Sequence, residues 1–307
     1  MITNLDPEST LFLADTNRIQ KRAADANSQV SSGKRVRVAS DAPDEIGAIL
    51  QLRANQQQNA QVQANLALAT TDANAADNSL SSAIKLMDTA LGLAAQGTAI
   101  SMDANGRNTL AQQVRAIQQQ MVAYSQTTVQ GRYIFSGDQE GDPSYQYQTG
   151  AAAPVVRLAA SASTRQVEDP AGGSFGASKT ALEIFDHSDP ISGAPSADNV
   201  FAALDNLAQA LETNNTSGIS NSVASLKAAS DHLNSMEAFY GNVQTRIQNA
   251  GDFASSYDIQ LQTELSQKED ADVTSAALEL TQANTQLQAA FQMRAQRPHT
   301  SLFSYLG

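Results

Sequence analysis

The chain has 307 residues, a formal net charge of −12 and a hydrophobic fraction of 41%. It contains no cysteine and three histidines, which excludes disulfide frameworks and thiol nucleophiles and leaves little for histidine-rich metal sites. The acidic balance disfavours nucleic acid as a partner. Alanine (52) and glutamine (31) supply about a quarter of the residues, a composition that favours long helices packed through small side chains.

The N-terminal segment predicts a helix with a thin apolar face. One register at heptad spacing is apolar, and the register beside it is half polar; these positions are Leu5, Phe12, Ile19 and Ala26, then Ser9, Thr16, Ala23 and Val30. The first 20 residues also lack a basic start followed by an apolar block, so we expect no cleavable signal peptide. No apolar stretch approaches the ~20 residues of a membrane span, so we expect no membrane insertion.

Two long stretches predict the helices of a left-handed bundle, because their apolar residues alternate at spacings of three and four. Alanine at many of these positions lets helix axes approach closely. The first stretch is Val62, Leu66, Ala69, Ala73, Ala76, Leu80, Ala83, Met87, Ala90 and Ala94, and the second is Leu233, Met236, Tyr240, Val243, Ile247, Ala250, Ala254, Tyr257 and Leu261. Shorter helical runs lie at residues 110–124 and 200–211.

The centre of the chain predicts a small β-rich module, because proline and glycine concentrate between Gly131 and Pro195. Four short runs bounded by turn residues are candidate strands; they are Arg132–Phe135, Tyr145–Gln148, Val155–Leu158 and Leu182–Phe185.

The C-terminal helix again has a half-polar seam, with Val273, Leu280, Leu287 and Arg294 in one register and Ala277, Asn284 and Phe291 in the other. Large apolar residues, Leu302, Phe303 and Leu306 among them, then end the sequence. Such faces are too poor to hold isolated helices. We therefore expect both ends to be mobile in a free chain and to order against neighbouring subunits; the alternative is that the two end helices pair with each other.

Candidate chemical sites are weak in this sequence. The run Glu269–Asp272 favours negative charge at the start of the last helix over a metal site, and Asp186–Asp189 has ligand residue types but no distant partner in the sequence pattern. His232 and His299 stand alone. No phosphate-binding loop, nucleophile elbow or zinc-protease motif is present, so we expect neither an enzyme nor a cofactor or metal site.

Three segments resemble the flagellin family. The segment from Gln29 to Pro43 contains a Ser-Ser-Gly turn, a basic pair and an Asp-rich step, similar to the N-terminal signature of that family. Glu269–Asp272 and the helix that follows it are similar to its C-terminal segment. Gly131-Arg-Tyr-Ile-Phe-Ser-Gly137 resembles the hook-associated branch of the family, which joins the flagellar hook to the filament.

The resemblance implies a mainly α fold: a long antiparallel helical bundle or coiled coil made by the N- and C-terminal regions, with a small β-rich domain inserted in the middle. It implies a terminal assembly domain (1–44 with 266–307), a helical rod (45–130 with 199–265) and an outer domain (131–198). The implied subunit contacts are Leu5, Phe12, Ile19, Leu280, Leu287, Phe291, Leu302, Phe303 and Leu306. The segment with Gly33, Lys34, Arg35, Asp41 and Pro43 would form a hinge or inter-subunit turn, in which the basic residues and nearby acids can pair between neighbours.

The resemblance also implies partners and a location. The partners would be further copies of the chain in a ring, a hook-associated protein on the hook side, and flagellin or a second adaptor on the filament side. A dedicated chaperone would cover the C-terminal helix before type III export to the extracellular flagellum. The alternatives are flagellin itself and, from another class, a cytoplasmic coiled-coil signalling scaffold.

Overall fold

We describe a computed structural model over residues 7–151, 153–158, 163–170, 172–189 and 191–296. The chain divides into two compact units. One joins the chain up to Gln58 to the chain from Asp258 onward, and the other is Asn59–Tyr257. Within the described ranges, no helix is both long and apolar enough to cross a membrane.

The first unit contains the two terminal helices, α1 (Pro7–Ser32) and α7 (Val273–Ala295), which pack against each other. Helix α1 ends at a glycine, because Gly33 adopts a positive φ of 69° and its N–H donates to the Gln29 carbonyl over 2.8 Å, a geometry that glycine adopts without steric cost. Helix α7 begins at the N-cap Asp272, whose carboxylate accepts from the Thr274 and Ser275 amides. The two end helices therefore pair with each other within one chain, which is the alternative given above and not the expectation that they order only against neighbouring subunits; the pairing implied by the family resemblance is confirmed.

The second unit is built on the long helices α2 (Ile46–Gly97) and α6 (Thr216–Glu269), each of which begins or ends in the first unit. Helices α3 (Ala104–Ser125), α4 (Ala181–Ile184) and α5 (Val200–Glu212) belong to the same unit. The predicted heptad positions form the core: every residue of the first stretch from Val62 to Ala94 is buried, and Leu80, Ala83, Met87, Ala90 and Ala94 have no exposed surface. The helical bundle predicted from the sequence is therefore confirmed.

Among the described residues between α3 and α5, three antiparallel strand pairs are present. Strands β1 (Thr128–Val129) and β2 (Arg132–Tyr133) pair, as do β3 (Tyr145–Tyr147) and β4 (Val155–Arg157), and β5 (Gln166–Glu168) and β6 (Ser174–Gly176). Three of the four predicted strands are thus present in shorter form, while β1, β5 and β6 were not predicted.

The fourth predicted strand, Leu182–Phe185, is wrong. These residues belong to the short helix α4 (Ala181–Ile184) and its C-cap. The Thr180 hydroxyl accepts from the Glu183 amide while the Glu183 carboxylate accepts from the Thr180 amide. This reciprocal capping box begins a helix, and the apolar run alone did not reveal it.

The view of His187 and His232 as residues without distant partners is also wrong. Their rings stack with centroids 5.3 Å apart and an interplanar angle of 5°, although 45 positions separate them in the sequence. Helix α6 brings His232 to the loop that follows α4, a long-range contact that no local pattern indicates.

Candidate assembly site in the terminal unit

Helices α1 and α7 meet through a narrow seam of small residues. Thr16 and Ala26 of α1 are buried, and so are Ala276 and Ala283 of α7. The predicted contact residues Phe12, Ile19, Leu280 and Leu287 lie beside this seam and are half-buried. On α1 the buried and half-buried positions therefore include the two registers that the sequence predicted. On α7 the buried register is displaced by one residue from the predicted Ala277 and Asn284, which are exposed.

Polar and aromatic contacts flank the seam. Arg22 donates to Glu279 over 2.6 Å, and Arg294 donates to the Ser9 hydroxyl over 2.7 Å. The rings of Phe12 and Phe291 meet edge to face at 6.4 Å. These contacts fix the pairing of the two helices, but partly exposed ion pairs contribute only about 0–1 kcal/mol each.

Large apolar side chains on the same two helices remain uncovered. Leu11, Leu278 and Met293 expose 66%, 70% and 67% of their surface. A groove of about 680 Å³ between α1 and α7 is lined by both apolar and charged side chains. We use the name apolar outer face for these exposed apolar residues together, although their helical spacing places them on more than one side of the seam; they are Leu11, Leu13, Val273, Leu278, Phe291 and Met293. Four predicted contact residues, Leu5, Leu302, Phe303 and Leu306, lie outside the described residues.

Main-chain hydrogen bonds join the predicted hinge, which follows α1, to the segment between α6 and α7. The amides of Arg35 and Val36 donate to the Glu269 carbonyl over 2.7 and 3.2 Å, and the Ala271 amide donates to the Gly33 carbonyl over 2.9 Å. Lys34 and Asp270 thereby form an antiparallel bridge. The segment after α1 is thus fastened to the segment before α7.

The Glu269 carboxylate is the buried charge of this hinge, and its side chain is only 3% exposed. It pairs with Lys34 and, over 2.8 Å, with Arg53. Burial by itself raises the pKa of Glu269, but the hydrogen bonds and charges of Lys34 and Arg53 outweigh burial, so that the pKa lies below its ordinary value. The negative charge predicted at the start of the last helix is present, but within the run Glu269–Asp272 it is Asp272 that caps α7, whereas Glu269 ends α6.

The rest of the hinge is a solvent-facing turn over a small core. Arg35 pairs with Glu45 over 2.8 Å. The Asp41 carboxylate accepts from the Val38 and Arg37 amides, which lowers the pKa of Asp41, and Pro43 is exposed. Beneath this turn the core consists of Val36, Ala42 and Ile49, with Leu265 packed against them. Lys34 and Arg35 therefore find partners within one chain, where the sequence had also allowed partners on neighbouring subunits.

Sequence reasoning missed Arg53 as a hinge residue. It lies 16 positions after the basic run, and only the packing of the start of α2 beside the end of α6 brings it to Glu269. The available signal was a lone arginine in the glutamine-rich stretch 51–58.

Family models match both helical parts of the chain. The model of the bacterial flagellin N-terminal helical region matches residues 8–140, and the model of the C-terminal helical region matches residues 223–306. Together they span well over half of the sequence. The chain belongs to the flagellin family.

Solved structures share the fold of this flagellin-family chain. A flagellar hook-associated protein of Vibrio parahaemolyticus has a TM-score of 0.63 at 18% identity, with 75% of this chain and 100% of that chain covered. Flagellar hook-associated protein-3 of Legionella pneumophila has a TM-score of 0.60 at 12% identity, with 71% and 98% covered. FlgL of Bacillus cereus has a TM-score of 0.55 at 17% identity, with 72% and 100% covered. Among curated proteins, none matches the sequence significantly.

Substitution of Glu269 should loosen the hinge. We expect Glu269→Gln to weaken the main-chain bonds around it by about 1–2 kcal/mol, because the pairing with Lys34 and Arg53 is lost while both cations keep contact with water. Amide hydrogen exchange at Val36 and Ala271 should accelerate about 5- to 30-fold. Unchanged exchange at both amides would contradict the role assigned to this carboxylate.

The control for Glu269 is Glu45→Gln, which removes the exposed partner of Arg35 and should change exchange much less. The two variants should also differ with pH. Because the pKa of Glu269 is lowered in the folded chain, its contribution is complete above its ordinary value of 4.5 and is lost as the pH falls further. The difference between wild type and Glu269→Gln should therefore be constant at neutral pH and shrink below about pH 4.5.

Proposed function

We propose that this protein is a structural, non-enzymatic subunit of the bacterial flagellum that acts at the junction between hook and filament. Copies of the chain would form a ring through their terminal helices. The ring would bind a hook-associated protein on the hook side, and on the filament side it would bind flagellin or a second adaptor and seed filament growth.

The apolar outer face of α1 and α7 carries this proposal. Leu11, Leu278 and Met293 are each about two-thirds exposed on one helix pair, and large apolar side chains that stay exposed on the same elements are typical of surfaces that bind a partner. Burying one such side chain contributes about 1.5–3 kcal/mol, so a few of them on each subunit favour a stable assembly. A second copy of the chain offers the same helices and can complete the seam.

The proposal assigns a separate structural role to each of three parts of the chain. Residues 1–44 with 266–307 would form the assembly domain, residues 45–130 with 199–265 the rod, and residues 131–198 the outer domain. Within the assembly domain the contacts would include Phe12, Ile19, Leu280, Leu287 and Phe291, together with Leu5, Leu302, Phe303 and Leu306 outside the described residues. The hinge with Gly33, Lys34, Arg35, Asp41 and Pro43 would set the angle at which these helices enter the ring.

Before assembly the same face must be protected from aggregation. We propose that a dedicated chaperone covers α7 in the cell and that the chain leaves through the flagellar type III export apparatus. The chaperone and the neighbouring subunit would then use overlapping apolar residues, so that release of one permits binding of the other.

Flagellin itself is the second candidate function, because both matching family models describe flagellin regions. The junction is favoured because two of the three structural relatives named above carry hook-associated names. Family membership also favours a flagellar protein over the signalling scaffold.

A deletion strain tests the junction proposal. Cells without the gene should assemble hooks, release flagellin into the medium and carry no filaments, and a plasmid copy should restore them. Normal filaments on the deletion strain would contradict a junction role. Loss of the major filament protein itself, with no flagellin released, would indicate the second candidate.

A further inference from the structure

Two histidines and one aspartate form a cluster in the unit Asn59–Tyr257. Nδ1 of His187 lies 2.9 and 3.0 Å from the two carboxylate oxygens of Asp198, and Nδ1 of His232 lies 3.5 Å from Oδ2 of the same carboxylate. The three ligand-type atoms lie within 4.8 Å of one another. From the geometry of this cluster we propose that it binds one divalent transition-metal ion, with Zn²⁺ as the reference ion.

The hydrogen bond on the far side of His232 determines the state of its ring. Nε2 of His232 lies 2.9 Å from the Glu183 carbonyl oxygen. A carbonyl only accepts, so Nε2 carries the proton, and in the neutral ring Nδ1 then presents a lone pair. That lone pair faces a carboxylate oxygen, which is also an acceptor. A cation between these two acceptors resolves their conflict.

The N···O distances fit a metal ion. Bonds of about 2.0–2.1 Å in a tetrahedral arrangement place ligand atoms about 3.3 Å apart, and the N···O distances of 2.9 to 3.5 Å bracket this value. Two imidazole nitrogens and a carboxylate oxygen suit Zn²⁺, Ni²⁺ and Cu²⁺. Three protein ligands leave a fourth position for water. The carbonyl of Glu183 supplies the outer hydrogen bond that ligating histidines ordinarily make.

The scaffold holds these groups in place without the metal. The His187 carbonyl accepts from the Ser196 amide over 3.0 Å and from the Asn199 side chain over 2.9 Å. Asn199 is itself the N-cap of α5, which fixes the neighbouring Asp198. His232 lies on the long helix α6, and its side chain is 14% exposed, whereas His187 is 46% exposed and gives solvent access. A bound ion would therefore fasten the loop after α4 to α6.

Isothermal titration of the full chain tests the site. After chelator treatment and dialysis at pH 7.5, addition of ZnCl₂ should show one tight equivalent. His187→Ala and His232→Gln should each weaken binding at least tenfold; the glutamine amide retains a donor for the Glu183 carbonyl. His299→Ala, which removes the remaining histidine of the sequence, is the matched control and should leave binding unchanged.

Two further readouts separate a built site from general metal binding. Zinc should shift the Nδ1 resonances of His187 and His232 together in ¹⁵N spectra of the imidazole rings, and it should raise the Tm of wild type but not of folded His187→Ala. Absence of a tight equivalent in wild type would overturn the proposal, and so would undiminished binding in folded His187→Ala. Equal loss of binding in His299→Ala would place the ion elsewhere and likewise overturn it.

Discussion

Charge placed on the apolar outer face should abolish flagellar assembly while leaving the free chain folded. The double variant Leu278→Glu/Met293→Glu changes two side chains that are 70% and 67% exposed, and substitutions at such surface positions ordinarily alter stability by no more than about 0.5 kcal/mol. In an assembly each substitution would remove about 1.5–3 kcal/mol of favourable free energy from apolar burial and would add the cost of a buried charge. A loss above about 3 kcal/mol per subunit corresponds to more than 100-fold in the association constant. We expect non-motile cells.

The controls for this variant separate assembly from folding and export. Leu278→Met/Met293→Leu keeps apolar side chains of similar volume and should swim normally, since volume-conserving exchanges are tolerated. Purified Leu278→Glu/Met293→Glu should unfold at the wild-type Tm and should appear in the culture medium as unassembled protein. Wild-type motility in the charged variant would show that this face is not an assembly surface.

Removal of the Tyr240 side chain should have the largest effect on the fold. Tyr240 is 2% exposed, and its ring meets Phe135 and Phe239 edge to face at 6.4 and 5.4 Å. Its hydroxyl accepts from the Lys179 amide over 3.0 Å, so one side chain of α6 joins the helical core to the segment before α4. We expect Tyr240→Ala to cost about 3–5 kcal/mol and to lower the Tm by about 10 °C in calorimetry.

Tyr240→Phe separates packing from hydrogen bonding at the same position. It keeps the aromatic contacts and leaves only the Lys179 amide without its partner, which should cost about 1–2 kcal/mol. A Tm loss in Tyr240→Phe as large as that in Tyr240→Ala would show that the hydrogen bond, and not the ring packing, dominates at this position.

The helical part of the fold was predictable because the spacing of its apolar residues is a local feature of the sequence. Residues from Val62 to Ala94 alternate at spacings of three and four without interruption, and all ten seam positions are buried. The two registers of α1 were predicted correctly because their heptad spacing is also a local feature of the sequence. The position of the β module was predicted, but its strands were predicted only in part. The run 182–185 is as apolar as a strand, yet the capping pair of Thr180 and Glu183 makes it the start of a helix.

The features that escaped prediction depend on contacts between distant parts of the chain. Arg53 and Lys34 share Glu269 because α2 begins beside the end of α6. His187 and His232 meet because the loop after α4 folds against α6. The register of α7 also depends on a contact between distant parts of the chain, because α7 packs against α1. Ala276 and Ala283 are buried while Ala277 and Asn284 are exposed, and alanine at both buried positions permits a close approach of the two helices.

Immunogold electron microscopy of intact flagella tests whether the chain acts at the hook–filament junction. With antibody raised against the purified protein, we expect gold in one narrow band between hook and filament, and no band on flagella of the deletion strain. Gold distributed along the whole filament would contradict the junction assignment and would identify the chain as a filament subunit.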